Sequence, residues 1–226
     1  MKIKKLGTGI YIVETPKKFL GMEIGLRMTI FVLNNGDIVL HSPVLLTKEL
    51  EYELSTLGNI KYLISPNKFH HLYVKDYKNV YTEFKLFCAP GLELKRIDLE
   101  FTGILSEHEK YEWGNELQFK IFMGIPSLNE AVFHHKPSKS LIFTDLVMHY
   151  SKNIYLSTKL FAKLEGVYTK IAVPRLVRYM LVRDKKAAKK SLDIILSWDF
   201  ERVIFSHGDI IESNGKNAVE KAFSWL

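Results

Sequence analysis

The chain of 226 residues carries a single cysteine, Cys88. An internal disulfide is therefore excluded, and so is a zinc site built on several thiolates. Cys88 lies in the apolar run LFCAP and reads as a small core residue. Long apolar runs are also missing: nothing approaches the roughly 20 residues that a membrane-spanning helix needs. The basic start, MKIKKLGTGIYIVE, has only a short apolar stretch, broken by Gly7 and Gly9, which is not the pattern of a signal peptide. Low-complexity tracts, solenoid-type repeats and linkers are absent as well. These absences predict one cytoplasmic domain over residues 1–226, with no membrane partner.

What is present is ordinary for a globular chain: 47% hydrophobic and 25% charged residues, too apolar for disorder. The formal net charge is +7, compatible with anionic substrates. Part of that excess sits in one helical stretch with Arg175, Arg178, Arg183, Lys185, Lys186, Lys189 and Lys190. Lys and Arg normally occupy solvated helix faces. Only Tyr179 interrupts the stretch as an aromatic, too little for base stacking, so nucleic acid is not an expected partner.

The chemistry concentrates in NIKYLISPNKFHH, residues 59–71. Residues 60–64 predict a short buried strand, rich in β-branched and aromatic side chains. Ser65-Pro66-Asn67 ends it, because Pro lacks an amide donor and restricts the residue before it. His70 and His71 follow at the strand's carboxyl end, where open α/β sheets place their polar groups.

Around this stretch, residues 9–14, 28–33 and 38–40 predict strands, the last two joined by the hairpin signal Asn34-Asn35-Gly36-Asp37. A helix fits 47–57, with Thr47 as cap, a Leu50–Leu54–Leu57 stripe and Gly58 as stop. The run from Leu72 to Phe84 reads as helical, LFCAPG as a short strand, and IDLEFTGILSE, residues 97–107, as loop. WGNELQFKIFMG contains a strand. Residues 130–133 and 141–143 predict a second hairpin, with His134 and His135 in its turn. Further helices are expected along the Leu160–Leu164–Val167 stripe, from Pro174 through Leu181, over 185–197, and over 217–225. RVIFS is a final strand.

Three strands end at once in ionisable residues: YLISPNKFHH, LIFTD and VIFSHGD. Neighbouring strand ends meet in one crevice in an α/β fold, which brings His70, His71, Asp145 and His207 within reach of each other. Imidazoles and a carboxylate suit zinc, iron or manganese without thiolates.

The order of NNGDIVLHSPV, LISPNKFHH, LNEAVFHHKPSKSLIFTD and VIFSHGD resembles the metallo-β-lactamase-like hydrolases, and most of all a little-characterised bacterial branch of unknown function. The resemblance implies a four-layer αβ/βα sandwich with mixed sheets and a metal crevice at one edge. The family's HxHxDH signature falls on residues 66–71. Pro66 and Lys68 replace its first two histidines, His70 replaces its aspartate, and His71 is kept. Its third histidine falls near Pro126. The first of two metal pockets is thereby emptied, and the resemblance leaves one divalent metal, zinc before iron or manganese, on His70, His71, Asp145 and His207. Lys68 replaces the lost cation with an ammonium beside Asp145, and Asp145 is an alternative general base. His41 supports the site from behind; His134 and His135 lie outside it, and His108 and His149 are surface residues.

Two functions follow: a mononuclear metal-dependent hydrolase of a small-molecule substrate, or a non-catalytic binding protein that has lost its metal. The substrate and the oligomeric state are not encoded in these motifs.

Overall fold

A computed structural model describes residues 2–19, 21–151 and 154–226. Two mixed sheets face each other. The larger has seven strands: β1 (Lys4–Gly7), β2 (Ile10–Thr15), β5 (Leu26–Val32), β6 (Asp37–His41), β7 (Asn59–Ser65), β8 (Lys85–Cys88) and β9 (Gly103–Ile104), hydrogen-bonded in that order. A short ribbon, β3 (Lys18–Phe19) with β4 (Met22–Glu23), interrupts the chain between β2 and β5. The smaller sheet runs β10 (Leu117–Ile121), β11 (Ala131–His135), β12 (Ser140–Phe143) and β13 (Arg202–Phe205). Pairing is parallel from β6 through β9 and between β12 and β13. The carboxyl ends of β6 and β7, and those of β12 and β13, therefore point the same way within each sheet.

Alternation along the strands divides the core. Ile10, Ile12, Phe31, Val39, Tyr62 and Ile64 meet Leu117, Ile121, Phe133, Ile142 and Ile204 between the sheets. The opposite face of the larger sheet, with Met28, Ile30, Ile38, Leu40 and Leu63, takes helix α1 (Lys48–Leu57) through Leu50 and Leu54 and helix α2 (Val74–Lys78) through Val74 and Tyr77. The smaller sheet turns Leu141, Phe143, Val203 and Phe205 outward to Ala188, Leu192 and Ile195 of α5 (Lys185–Leu196) and to Val219 and Ala222 of α6 (Gly215–Ala222). Helix–sheet–sheet–helix is the expected four-layer order.

Local chemistry explains the element ends. Thr47 caps α1 by accepting a hydrogen bond from the Leu50 amide at 3.3 Å, and the fully buried Leu50 and Leu54 contribute about 1.5–3 kcal/mol each by leaving water. Gly58 stops the helix with φ +149°, and a Cβ there would lie 2.4 Å from the Gly36 carbonyl oxygen.

Several expectations change. The run after His71 forms only the short α2, because Val74 and Tyr77 are its buried residues while Leu72 and Val80 are exposed. The loop expected at 97–107 holds the two-residue edge strand β9, and the four-residue α3 (Leu92–Lys95) precedes it. His134 and His135 are not turn residues: they pair with Leu141 and Ser140 in β11–β12, and the turn is 136–139. Helix α4 (Leu156–Glu165) buries Thr158 and Ala162, not the expected Leu160 and Leu164, which stay exposed. After Pro174 the chain forms only a π-helical turn, Val177–Leu181.

Two buried histidines cross the apolar layers without full pairing. Neither ring nitrogen of His41, at the end of β6, has a hydrogen-bond partner among the described residues, nor has Nε2 of His135. His41 packs edge-on against Phe133, with ring centres 5.1 Å apart. Burial first, and then the charge of His70, push its pKa from 6.5 to about 3. Burial, followed by His134, pushes His135 down to about 4. Both imidazoles stay neutral in the fold under conditions that protonate them in the unfolded chain. The contribution of these two groups to stability is therefore full above pH 6.5 and falls as pH drops from 6.5 toward 4, by up to about 1.4 kcal/mol per pH unit for each group. Urea denaturation across this range should show the decline, and His41→Leu should flatten it. An unchanged slope in that variant would refute the assignment.

Candidate metal centre

The site is assembled where both sheets end. From β7, Pro66 breaks the strand and its carbonyl accepts the Ala131 amide at 2.7 Å, tying the larger sheet to the start of β11. Asn67 then folds the chain back: its side-chain oxygen accepts the amides of Phe69 at 2.8 Å and His70 at 2.9 Å. This Asx turn delivers the His70 ring. From β12, Thr144 leads to Asp145; from β13, Ser206 leads to His207.

His70, Asp145 and His207 converge. His70 Nε2 lies 3.2 Å from Asp145 Oδ2, His207 Nε2 lies 3.3 Å from Asp145 Oδ1, and the two Nε2 atoms are 3.3 Å apart. Both rings are buried, and the Asp145 side chain is 18% exposed. The far side of each ring is already occupied. His207 Nδ1 donates to the Gly25 carbonyl at 2.7 Å. A carbonyl only accepts, so the neutral ring keeps its Nε2 lone pair toward the centre. His70 Nδ1 and Ser42 Oγ lie 2.6 Å apart, and with the hydroxyl as acceptor His70 has the same tautomer.

Two imidazole lone pairs and a carboxylate facing one another repel unless a cation lies between them. Tetrahedral zinc with bonds of 2.0–2.1 Å separates its ligands by about 3.3–3.4 Å, close to the spacings seen here. Three protein donors with the fourth side left open is the donor count of catalytic zinc sites, and rear hydrogen bonds of this kind fix ligating histidines. The donor set fits a divalent ion. The charges also show mutual dependence. Burial acts against the Asp145 carboxylate, but His70 and His207 outweigh it and hold its pKa well below the ordinary range. Burial pulls His70 down, yet Asp145, with a smaller contribution from Glu130, brings it above its ordinary value.

A buried frame holds the three. Glu130 accepts the amides of Thr144 and Asp145 at 2.7 Å and of Leu146 at 3.0 Å. Asn67 Nδ2 donates to Glu130 at 3.2 Å, to Thr144 Oγ1 at 2.8 Å and to Asp145 Oδ2 at 2.8 Å. Arg27, on β5, donates to the carbonyls of Phe205 and, at 2.7 Å, Gly208, and pairs with Glu14. Its own amide donates to Ser206 at 2.8 Å. Gly208 has φ +80°, and a Cβ there would meet the His149 carbonyl oxygen at 1.9 Å, so the residue after His207 has to be glycine. Sequence reasoning passed over Ser42, Asn67, Glu130 and Arg27. Asn after Pro at a strand end was a readable turn signal; the others had none beyond being polar beside apolar runs.

The remaining expected residues lie elsewhere. His71 is outside the group: Arg96 Nη1 is 2.6 Å from its Nδ1, and burial, then Arg96 and Lys95, lower its pKa to about 4. Lys68 does not pair with Asp145; its ammonium donates to the Pro126 carbonyl at 2.8 Å. The two positions aligned with lost histidines thus touch each other. His134 stacks on Trp198 with ring centres 5.6 Å apart and bonds the Asp199 carbonyl at 3.0 Å, while His135 meets Ser138 at 2.7 Å. His108 is exposed and His149 half-buried.

The model of a family described as a domain of unknown function (DUF4336) matches residues 8–164, a span that holds His70 and Asp145 but ends before His207. No curated protein matches the sequence. Among solved structures, a metallo-beta-lactamase from Pontibacter korlensis superposes with TM-score 0.67 at 13% identity, over 99% of this chain and 97% of that one. The DIM-1 metallo-beta-lactamase exposed to ceftazidime gives 0.66 at 14%, over 98% and 97%. The metallo-beta-lactamase FIM-1 from Pseudomonas aeruginosa, in the mono-zinc form, gives 0.60 at 11%, over 98% and 95%. The fold is that of the metallo-β-lactamases.

Glu130→Gln should test the frame. An amide NH₂ replaces one accepting oxygen, leaves a buried backbone donor unpaired, and should cost about 1–3 kcal/mol in chemical denaturation. A cost below about 0.5 kcal/mol would show that the backbone amides do not depend on the carboxylate.

Proposed function

The chain belongs to the DUF4336 family of domains of unknown function, and we propose that it is a hydrolase that works with one divalent metal held by His70, Asp145 and His207. The observation that carries this reading is the convergence of those three groups at 3.2–3.3 Å with both imidazoles anchored from behind. The bacterial relative in mono-zinc form supports zinc as the first ion to test, with iron and manganese after it. When bound, such an ion supplies Lewis acidity, polarising a substrate oxygen and acidifying water.

The protein's own groups have separable parts. His70 and His207 present Nε2 and hold their protons at Nδ1. Asp145 supplies the negative charge that two neutral imidazoles lack. A carboxylate held this far below its ordinary range is a weak base near neutral pH, so Asp145 serves as ligand and not as general base. Lys68 sits on the His70 loop, and Lys95 reaches the same loop, donating to the Lys68 carbonyl at 2.7 Å. Their positive charge supports an anionic small molecule as substrate. Lys68 takes no part at the reacting centre.

The emptied first pocket favours the second reading, a non-catalytic binding protein whose His70 proton occupies the centre in place of a metal. Elemental analysis and calorimetric titration of chelator-treated protein separate the two. We expect about one zinc per chain. His70→Ala, Asp145→Ala and His207→Ala should each weaken uptake by more than about 100-fold, and Ser42→Ala by about 10-fold or more. His71→Ala should leave uptake unchanged. Failure to bind zinc, iron or manganese would overturn the metal reading, and loss of uptake in His71→Ala would overturn this ligand set.

A further inference from the structure

Two joined segments of the molecule combine exposed apolar side chains with an excess of cations. On α4, Leu156, Leu160 and Leu164 recur every fourth residue, so they form one stripe, and they are 83%, 60% and 62% exposed. The opposite side of the helix is the packed one: Thr158 donates to the Glu23 carbonyl at 2.6 Å, and Ala162 is buried with Tyr150 and Val167. The stripe continues onto the next segment, because Arg175 donates to the Leu164 carbonyl at 3.0 Å and the Leu176 amide donates to Glu165 at 2.9 Å. There Leu176, Tyr179 and Met180 are exposed as well, while Val177 is buried and anchors the turn. Six large apolar side chains thus face outward over two joined segments, beyond the scattered single exposures that need no explanation.

The charge around them is one-sided. The segments that carry them, residues 155–183, hold six Lys and Arg against one acidic residue, a balance of +5. Lys159 and Lys163 flank the leucine stripe, each ammonium over the Tyr168 ring at 5.5 and 5.7 Å, and Arg178 lies over Tyr179 at 5.0 Å and Trp225 at 5.1 Å.

We propose that this face docks on an anionic lipid bilayer surface, with the leucines, Tyr179 and Met180 in the acyl boundary and the Lys and Arg groups at the headgroups. A helix face of bulky aliphatics bordered by cations is what an interfacial helix presents, and each cation near an anionic leaflet adds attraction. A second copy of this chain fits poorly, since a two-fold contact sets the same patch against itself and would oppose like charges. Nucleic acid would use the cations but leave the aliphatic stripe in water. No helix among the described residues is long and apolar enough to cross a membrane, so the contact is peripheral.

Sedimentation of the full chain with vesicles tests this. The protein should pellet with equimolar phosphatidylcholine and phosphatidylglycerol, stay in solution with phosphatidylcholine alone, and be released by high sodium chloride. The triple variant Leu156→Ser, Leu160→Ser, Leu164→Ser should lower partitioning by about 10-fold or more, with its circular dichroism and zinc uptake unchanged because these side chains touch neither core nor metal centre. Lys159→Glu with Lys163→Glu should weaken it in the same direction. Absence of pelleting, or equal pelleting by the leucine variant, would overturn the proposal. So would a dimer in sedimentation velocity that the leucine variant dissolves, which assigns the face to a second copy. Binding to poly-glutamate that is insensitive to the leucine changes would assign it to acidic protein, and would overturn it too.

Discussion

The structure depends on one electrostatic arrangement: two imidazoles and a carboxylate, none more than 3.3 Å from its neighbour, brought together inside the protein. In a medium that screens poorly, the carboxylate draws positive charge to that point, which is why the His70 pKa lies above its ordinary value. A metal cation there would be held by the same attraction. The rest of the site acts to keep the three groups from relaxing apart. Ser42 and the Gly25 carbonyl block rotation of the rings, Asn67 and Glu130 fix the Asp145 loop, and Arg27 fixes the His207 loop.

These supports come from both sheets, so the site and the sandwich stabilise each other. Arg27 belongs to β5 in the larger sheet and bonds the end of β13 in the smaller. Pro66, after β7, bonds Ala131 at the start of β11. Glu130 is buried yet bonded to three backbone amides and a side-chain amide, which offsets the cost of a charge away from water. Buried polar networks of this kind are favourable only when every member is satisfied. His41, with no partner on either ring nitrogen among the described residues, is a nearby exception.

The neighbouring pocket took a different course. Where two ligands would come from positions 68 and 126, an ammonium meets a backbone carbonyl. An ammonium offers no lone pair to an ion there. Lys95 and Arg96 add positive charge around the same loop, and Arg96 meets His71. The loop presents His70 to Asp145 and His207 while His71 turns to Arg96.

Strand positions, the first helix and the three strand tips that carry ionisable residues were legible in the amino-acid sequence because each is local. Residues 60–64 form a short apolar run that Pro66 ends, Thr47 and Gly58 bracket α1, and LIFTD and VIFSHGD show an apolar run meeting ionisable residues. The four-layer fold was legible through the order of those motifs. Orientation was not. His70 and His71 are adjacent and chemically identical, yet one ring enters the centre and the other meets Arg96, 25 residues away. The leucines of α4 have helical spacing whether they face core or water, and only packing of Thr158 and Ala162 decided which. Glu130, Arg27 and Gly25 act across separations of up to 182 residues, far beyond any local pattern. The sequence by itself determined which strand tips carry ionisable residues and that positions 66, 68 and 126 hold no histidine. Tertiary structure alone decided which side chains share one charge, because a pairwise distance in space is not a function of separation along the chain.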